Sequence, residues 1–217
     1  MPMSVPQEKT WIVVCRTSAE YNTALAAVQK KQFEARHSRP GWKFICITDN
    51  PTEDWHTPLE SNLPGWWSLM EMFRFRGPHI LTGLDTILLK DLDPFLEFAE
   101  NAPSNIMFGI RNFYKLRHWA SGVTLWNGDW RWLYEACNNQ TRRLFRGDQD
   151  FIESYVQARP GVELGFLDDH IPGIVSFKAH VLKRGLRPDD RICCFHGKPR
   201  PWDVANQHPW IQENLSL

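Results

Sequence analysis

Apolar and polar positions break this chain into short runs of two different periods. "TWIVVCRT", residues 10–17, is a β-branched and aromatic run of strand length, which predicts a buried strand. "AEYNTALAAVQKKQFEARH", 19–37, is made of helix formers, with Tyr21, Leu25, Val28 and Phe33 roughly on one face. "RPGWKFICITDNP", 39–51, reads as a turn, a second strand and a polar stop. Strand, helix, strand is the alternation of a largely parallel sheet with right-handed crossovers. "LPGWWSLMEMFRFRG", 63–77, reads as a loop feeding a helix that stops at Gly77 and Pro78. A strand over 79–84 then halts at Asp85 and resumes over 86–89.

The rest of the pattern is shorter in period. "DLDPFLEFAE" predicts a short helix after Asp93, with Pro94 at its first position. "SNIMFGIR" is a strand, and "ASGVTLWNGD" a strand entered through Ser121 and Gly122. "WRWLYEACNNQ" and "GDQDFIESYVQA" predict helices, the second with Asp148 as its cap and Phe151 and Ile152 in the core. Beyond residue 160 the chain reads as loop-rich until the strand-like "RICCFHG" and the stiff "KPRPWDV". No internal repeat, low-complexity tract or linker interrupts it, so a single domain over 1–217 is expected.

Composition narrows the function classes. The 25 basic and 25 acidic side chains cancel, so the total charge makes no commitment to nucleic acid or anionic lipid, although a local patch fits inside a neutral sum. No apolar run has the length of a bilayer span, and "MPMSVPQEKT" lacks the layout of a secretory signal. Five cysteines without a CxxC pair argue against a disulfide framework or a thiolate zinc site, and a reducing cytoplasm is the expected setting. Eleven tryptophans are unusual. Most indoles of a soluble chain belong to core and rim, but flat aromatic surfaces also suit sugars.

Four places carry candidate chemistry. Asp85 stands where a parallel strand ends, the side on which open sheets gather ligands, and a carboxylate there can hold a divalent cation bridging phosphates. The plainer alternative is a cap on the next turn. "CCFHGKPRPW" puts His196, Gly197 and Lys198 side by side: a metal donor, a close backbone approach and a mobile positive charge. Asp148 and Gln149 project from a first helical turn, where N–H groups are unpaired, or simply cap it. Ser121 and Gly122 either line a small polar pocket or make a turn.

In order, "PGWWSLMEMFR", "LTGLDTILLKDLDPF", "ASGVTLWNGD", "GDQDFI", "VSFKAHV" and "FHGKPRPWDV" resemble the nucleotide-sugar glycosyltransferases of the glycogenin and bacterial galactosyltransferase type, in particular their small bacterial and phage members. The resemblance runs over roughly residues 11–204. It implies the GT-A fold, an α/β, Rossmann-like, mostly parallel sheet flanked by helices. The nucleotide-binding half would cover about 10–95 and the sugar and acceptor half about 96–205. It also implies a divalent cation, Mn²⁺ or Mg²⁺, and transfer of a sugar from a nucleoside diphosphate, chiefly UDP, with retention at the anomeric carbon.

The family's Asp-X-Asp motif falls on Gly83-Leu84-Asp85, so that its first aspartate is missing here. Metal ligation is implied for Asp85 and His196. Diphosphate contacts are implied for Gly197 and Lys198, sugar contacts for Asp148 and Gln149, and donor contacts for Leu84, Ser121 and Gly122. The first-strand loop Cys15-Arg16-Thr17 would hold the nucleobase. Ser68-Leu69 stands where close relatives have a Ser-Lys pair. Lys198, Asp148 and Gln149 are the implied catalytic set. The acceptor, whether glycan, protein or modified DNA, is not specified. "RNFYKLRH" and "TRRLFR" would suit the DNA alternative. Erosion of the metal motif at Gly83 would suit a sugar-nucleotide binder without turnover.

Overall fold

The computed structural model describes residues 8–217. Most of the opening segment considered for a leader lies outside them. The strands are β1 (Lys9–Cys15), β2 (Trp42–Thr48), β3 (His56–Pro58), β4 (His79–Thr82), β5 (Thr86–Leu88), β6 (Ile106–Arg111), β7 (Trp119–Trp126), β8 (Glu163–Phe166), β9 (Ile174–Ser176) and β10 (Ile192–Cys194). The α-helices are α1 (Thr23–Glu34), α2 (Asp93–Asn101), α3 (Arg131–Ala136), α4 (Asp148–Gln157), α5 (Leu182–Arg184), α6 (Pro201–Val204) and α7 (Pro209–Leu215).

Seven strands form one mixed, largely parallel sheet in the order β3-β2-β1-β4-β7-β6-β8. β1 runs parallel to β2 and β4, β2 to β3, and β6 to β8, while β7 is antiparallel to both its neighbours. The strand at the centre explains the layering. Trp11, Val13 and Cys15 of β1 enter one core with Phe33 of α1 and Phe95 of α2. Ile12 and Val14 enter the opposite core with Met70, Phe73 and Phe151. A run apolar at every position is what burial on both faces of a parallel sheet requires.

Three expectations are corrected. The run after Asp85 does not continue β4. β5 crosses into a second, three-stranded sheet, β5-β10-β9, which α7 covers through the fully buried Ile211. The face that α1 buries is not the Tyr21, Leu25, Val28 stripe; it is Ala26, Gln29, Gln32 and Phe33. Gln29 Nε2 donates to the carbonyls of Gly83 and Thr86 at 3.0 and 2.8 Å, and Gln32 Oε1 accepts from Leu88 N at 3.0 Å. The glutamines thus satisfy backbone groups that the change of sheet would otherwise leave buried and unpaired. Third, the helix expected to stop at Gly77 is a 3-10 helix over Gly65–Arg74 and ends short of that glycine.

β7 also departs from the expectation. It begins at Trp119, so Ser121 and Gly122 lie inside it rather than at its entrance. The β6–β7 register jumps from Gly109↔Thr124 to Ile110↔Ala120, leaving 121–123 without β6 partners. The bulge packs the Trp119 indole over Gly109, where a Cβ would sit 2.3 Å from the ring. Only glycine fits under that ring without moving it.

Candidate functional site

The chain steps outward from β1 to β2 and β3, then returns to place β4 on the other side of β1. The reversal opens a crevice at the carboxyl ends of β1 and β4, where open sheets bind ligands. A cavity of about 830 Å³ lies there. Arg16, Thr17, Leu84 and Asp85 line it from the strand ends, Ser121, Gly122, Asp148 and Gln149 from the bulge and α4, and His196, Gly197 and Arg200 from the segment after β10. Ser68 and Leu69 line it too.

Asp85 is held by its backbone and neutralised by its side chain. Thr86 N donates to Gly83 O at 3.1 Å, closing the turn, and Phe195 N donates to Asp85 O at 3.2 Å. The carboxylate pairs with the guanidinium of Arg200, both side chains being about one-sixth exposed. Burial pushes the Asp85 carboxyl above its usual value, and Arg200 opposes that rise. Arg200 also reaches Glu20 at 3.4 Å and lies 5.2 Å from the Tyr21 ring centroid. A Cβ at Gly83 would stand 2.9 Å from Asp85 Oδ1, so any side chain there would shift this carboxylate.

His196 is fixed from both sides. Its Nε2 shares a 2.6 Å hydrogen bond with Ser176 Oγ, and its ring stacks on Phe113 at 5.2 Å. Burial, followed by the charges of Lys178 and His180, holds its pKa down at about 4, so the imidazole is neutral near pH 7. Lys178 Nζ donates to the carbonyls of His196 and Lys198 at 2.5 and 3.0 Å and clamps the loop around Gly197. Gly197 itself has φ +78, a conformation that favours glycine.

Asp148 occupies the first position of α4, and Gly147 rather than Asp148 is the N-cap. Its side chain turns inward, and Oδ2 accepts a 3.0 Å hydrogen bond from Ser121 Oγ. Burial raises its pKa, while Ser121 and the first-turn N–H groups pull it down. The β7 bulge leaves Ser121 without a β6 partner, and its hydroxyl turns to Asp148.

Two implied residues stand apart from the cavity. Cys15 is fully buried in the core. Lys198 turns outward, its Nζ on Glu20 at 2.5 Å and Asp203 at 3.3 Å, with its side chain 66% exposed. The sequence reading missed Arg200, which is two residues away in "HGKPRP", as well as Tyr21, Trp66 and Tyr114 on the walls. A second cation in that stiff motif was the available signal for Arg200.

Asp85 and His196 face one cavity, but Arg200 holds the carboxylate and Ser176 holds the imidazole Nε2. Among the described residues no three His, Cys, Asp or Glu side chains cluster closely enough to hold a metal ion. A guanidinium and a divalent cation compete for one carboxylate, so the arrangement as it stands does not fit the cation. No helix among the described residues is long and apolar enough to cross a membrane. All five cysteines are free and buried.

At the level of sequence the chain matches no family model and no curated protein. Its fold matches solved glycosyltransferases. The glycosyltransferase GlyE of Streptococcus pneumoniae TIGR4 superposes with TM-score 0.69 at 13% identity over 96% of this chain, which spans 61% of that one. The galactosyltransferase LgtC, in complex with donor and acceptor sugar analogs, gives 0.67 at 12% identity, over 96% of this chain and 95% of that chain. A glycosyltransferase involved in glycosylation of the major capsid of PBCV-1 gives 0.59 at 15%, over 96% of this chain and all of the other. The fold is therefore that of the GT-A glycosyltransferases, as the sequence motifs implied.

Proposed function

We propose that this chain transfers a sugar from a nucleoside diphosphate, UDP being the expected one, to an acceptor hydroxyl. The supporting observation is the cavity at the β1/β4 crevice. A cation, Arg200, and a buried carboxylate, Asp148, both line it, in a fold shared with solved glycosyltransferases. In this reading the protein is one domain, with a nucleotide half over about 10–95 and a sugar and acceptor half over about 96–205.

The cavity residues then divide the task. The loop at Arg16 and Thr17 takes the nucleobase and ribose, with Thr17 N already anchored on Asp49 at 2.8 Å. Leu84, Gly122 and Gly197 present short or backbone surfaces to the donor. Arg200 meets the charge that develops on the departing diphosphate, the largest electrostatic demand of the reaction. Lys198, exposed and tethered to Glu20, lies outside the cavity and makes no direct donor contact in this reading. Asp148, oriented by Ser121, accepts hydrogen bonds from sugar hydroxyls, and Gln149 lies toward the anomeric carbon.

No carboxylate stands out as a nucleophile, which favours attack on the face the leaving group departs from. The acceptor oxygen bonds to the anomeric carbon as the carbon–oxygen bond to the β-phosphate breaks. The acceptor proton passes to a diphosphate oxygen, and configuration is retained. The Mn²⁺ or Mg²⁺ implied by the resemblance has no step here, because Arg200 holds the carboxylate that would bind it.

A thermal-shift panel of UDP-sugars, with and without Mn²⁺, tests the reading. The correct donor raises the melting temperature in proportion to occupancy. A flat response across nucleotides and sugars sinks the proposal.

A further inference from the structure

Two segments flank the cavity, and their surface chemistry differs from the rest of the chain. Tyr114, in the loop 112–118 between β6 and β7, lines the cavity. The segment 138–147 leads into α4, and a Cβ at its Gly147 would lie 3.7 Å from Nε1 of Trp66, another wall residue. The loop 112–118 runs directly into β7, which packs against α4, so both segments flank the same helix. Together these seventeen residues carry five Lys or Arg and no carboxylate, in a chain whose total charge is zero. Asp150 of α4 pairs with Arg146, but Lys115, Arg117, Arg142 and Arg143 make no ion pair among the described residues.

The same two segments and the cavity wall carry most of the exposed large apolar side chains. Trp66, Tyr114, Leu116 and Leu144 are 63, 64, 66 and 78% exposed, and they are four of the six large apolar side chains exposed among the described residues. An interleaved set of cations, aromatic rings and protruding aliphatic groups matches the interfacial layer of an anionic bilayer. Nucleic acid uses cations and stacking rings but has little use for exposed leucines.

We propose that this rim seats the protein on an anionic lipid surface, so that the acceptor hydroxyl belongs to a lipid-anchored molecule presented at the mouth. The lipid contact rests on the rim alone. The acceptor class rests on the donor-site reading of the cavity. Leu116 and Leu144 enter the headgroup boundary, while Lys115, Arg117, Arg142 and Arg143 meet lipid phosphates.

Flotation with vesicles of phosphatidylcholine, or of phosphatidylcholine with about one-third phosphatidylglycerol, tests this at low and high salt. Wild type should float with the anionic vesicles only, and salt should release it. Leu116→Asp with Leu144→Asp should weaken that binding about tenfold or more, yet keep the UDP-sugar thermal shift of wild type, showing an intact fold and cavity. Failure of wild type to float overturns the proposal, as does unchanged flotation of the double variant. Displacement of the protein from vesicles by a short DNA duplex would overturn it too, and assign the rim to nucleic acid. Flotation without any donor-induced shift would uphold the lipid contact and sink the donor-site reading.

Discussion

Two aspartates line the cavity, Asp148 buried and Asp85 about one-sixth exposed, and their charges are handled differently. Asp85 and Asp148 are both pushed up by burial. Asp85 is then given a full positive charge by Arg200, while Asp148 receives a hydroxyl from Ser121 and the N–H groups of its own helix turn. A carboxylate with a counter-ion belongs to a place where charge changes. One held by neutral donors keeps accepting capacity for hydroxyl groups. Under the proposed function, the diphosphate would lie beside Asp85 and Arg200 and the sugar beside Asp148.

The largest effect expected is at the charged pair. Arg200→Ala leaves Asp85 buried without its partner, which should cost about 3 kcal/mol of unfolding free energy and abolish donor binding. Chemical denaturation of Arg200→Ala beside Asp85→Ala with Arg200→Ala checks this, since the double variant should regain part of the loss. Equal losses would mean that the pair is not coupled.

At the aspartate held by neutral donors, Asp148→Asn should lower turnover about 100-fold while leaving donor affinity nearly intact, because the amide keeps one acceptor but loses the charge. Its pH behaviour sharpens the comparison. A folded pKa raised above the unfolded value of 3.8 means that this group's stabilising contribution is complete below that pH. The contribution is lost as pH rises through the folded value, so wild type should lose stability relative to Asp148→Asn over that window.

His196 runs the other way. Its folded pKa of about 4 lies below 6.5, so its contribution is complete above 6.5 and is lost as pH falls toward 4. His196→Gln should flatten that part of the stability profile, measured by urea unfolding.

Smaller still are two expected insensitivities. With Arg200 on Asp85, EDTA should change donor affinity by less than about threefold, read by calorimetry; a larger loss would restore the cation to this site. Lys198→Ala should likewise change it by under about threefold, since the side chain is exposed and turned to Glu20.

Much of residues 10–95 was legible. β1, β2 and α2 announce themselves by apolar runs and by Pro94, and Asp85 by its place at a strand end. β8 and β9 were not, because each has only three or four residues and is held by pairing with β6 or β10 rather than by local propensity. α7 was missed as well: it docks through Ile211, and its Asn214 accepts a 2.6 Å hydrogen bond from Arg36, far away in the sequence. The buried face of α1 was misjudged because Gln29 and Gln32 look like surface residues until the backbone they satisfy is in place.

By itself the sequence determined the alternation of strands and helices, the motifs in their order, and some of the groups that line the crevice, Asp85, Asp148 and His196 among them. Those follow from local periodicity and from which residue types can do the chemistry at all. Only the tertiary structure decided that Arg200 rather than Lys198 faces Asp85, that a bulge delivers Ser121 to Asp148, and that the run after Asp85 changes sheet. Each of these depends on distances between segments many residues apart, which the pattern of neighbouring residues does not encode.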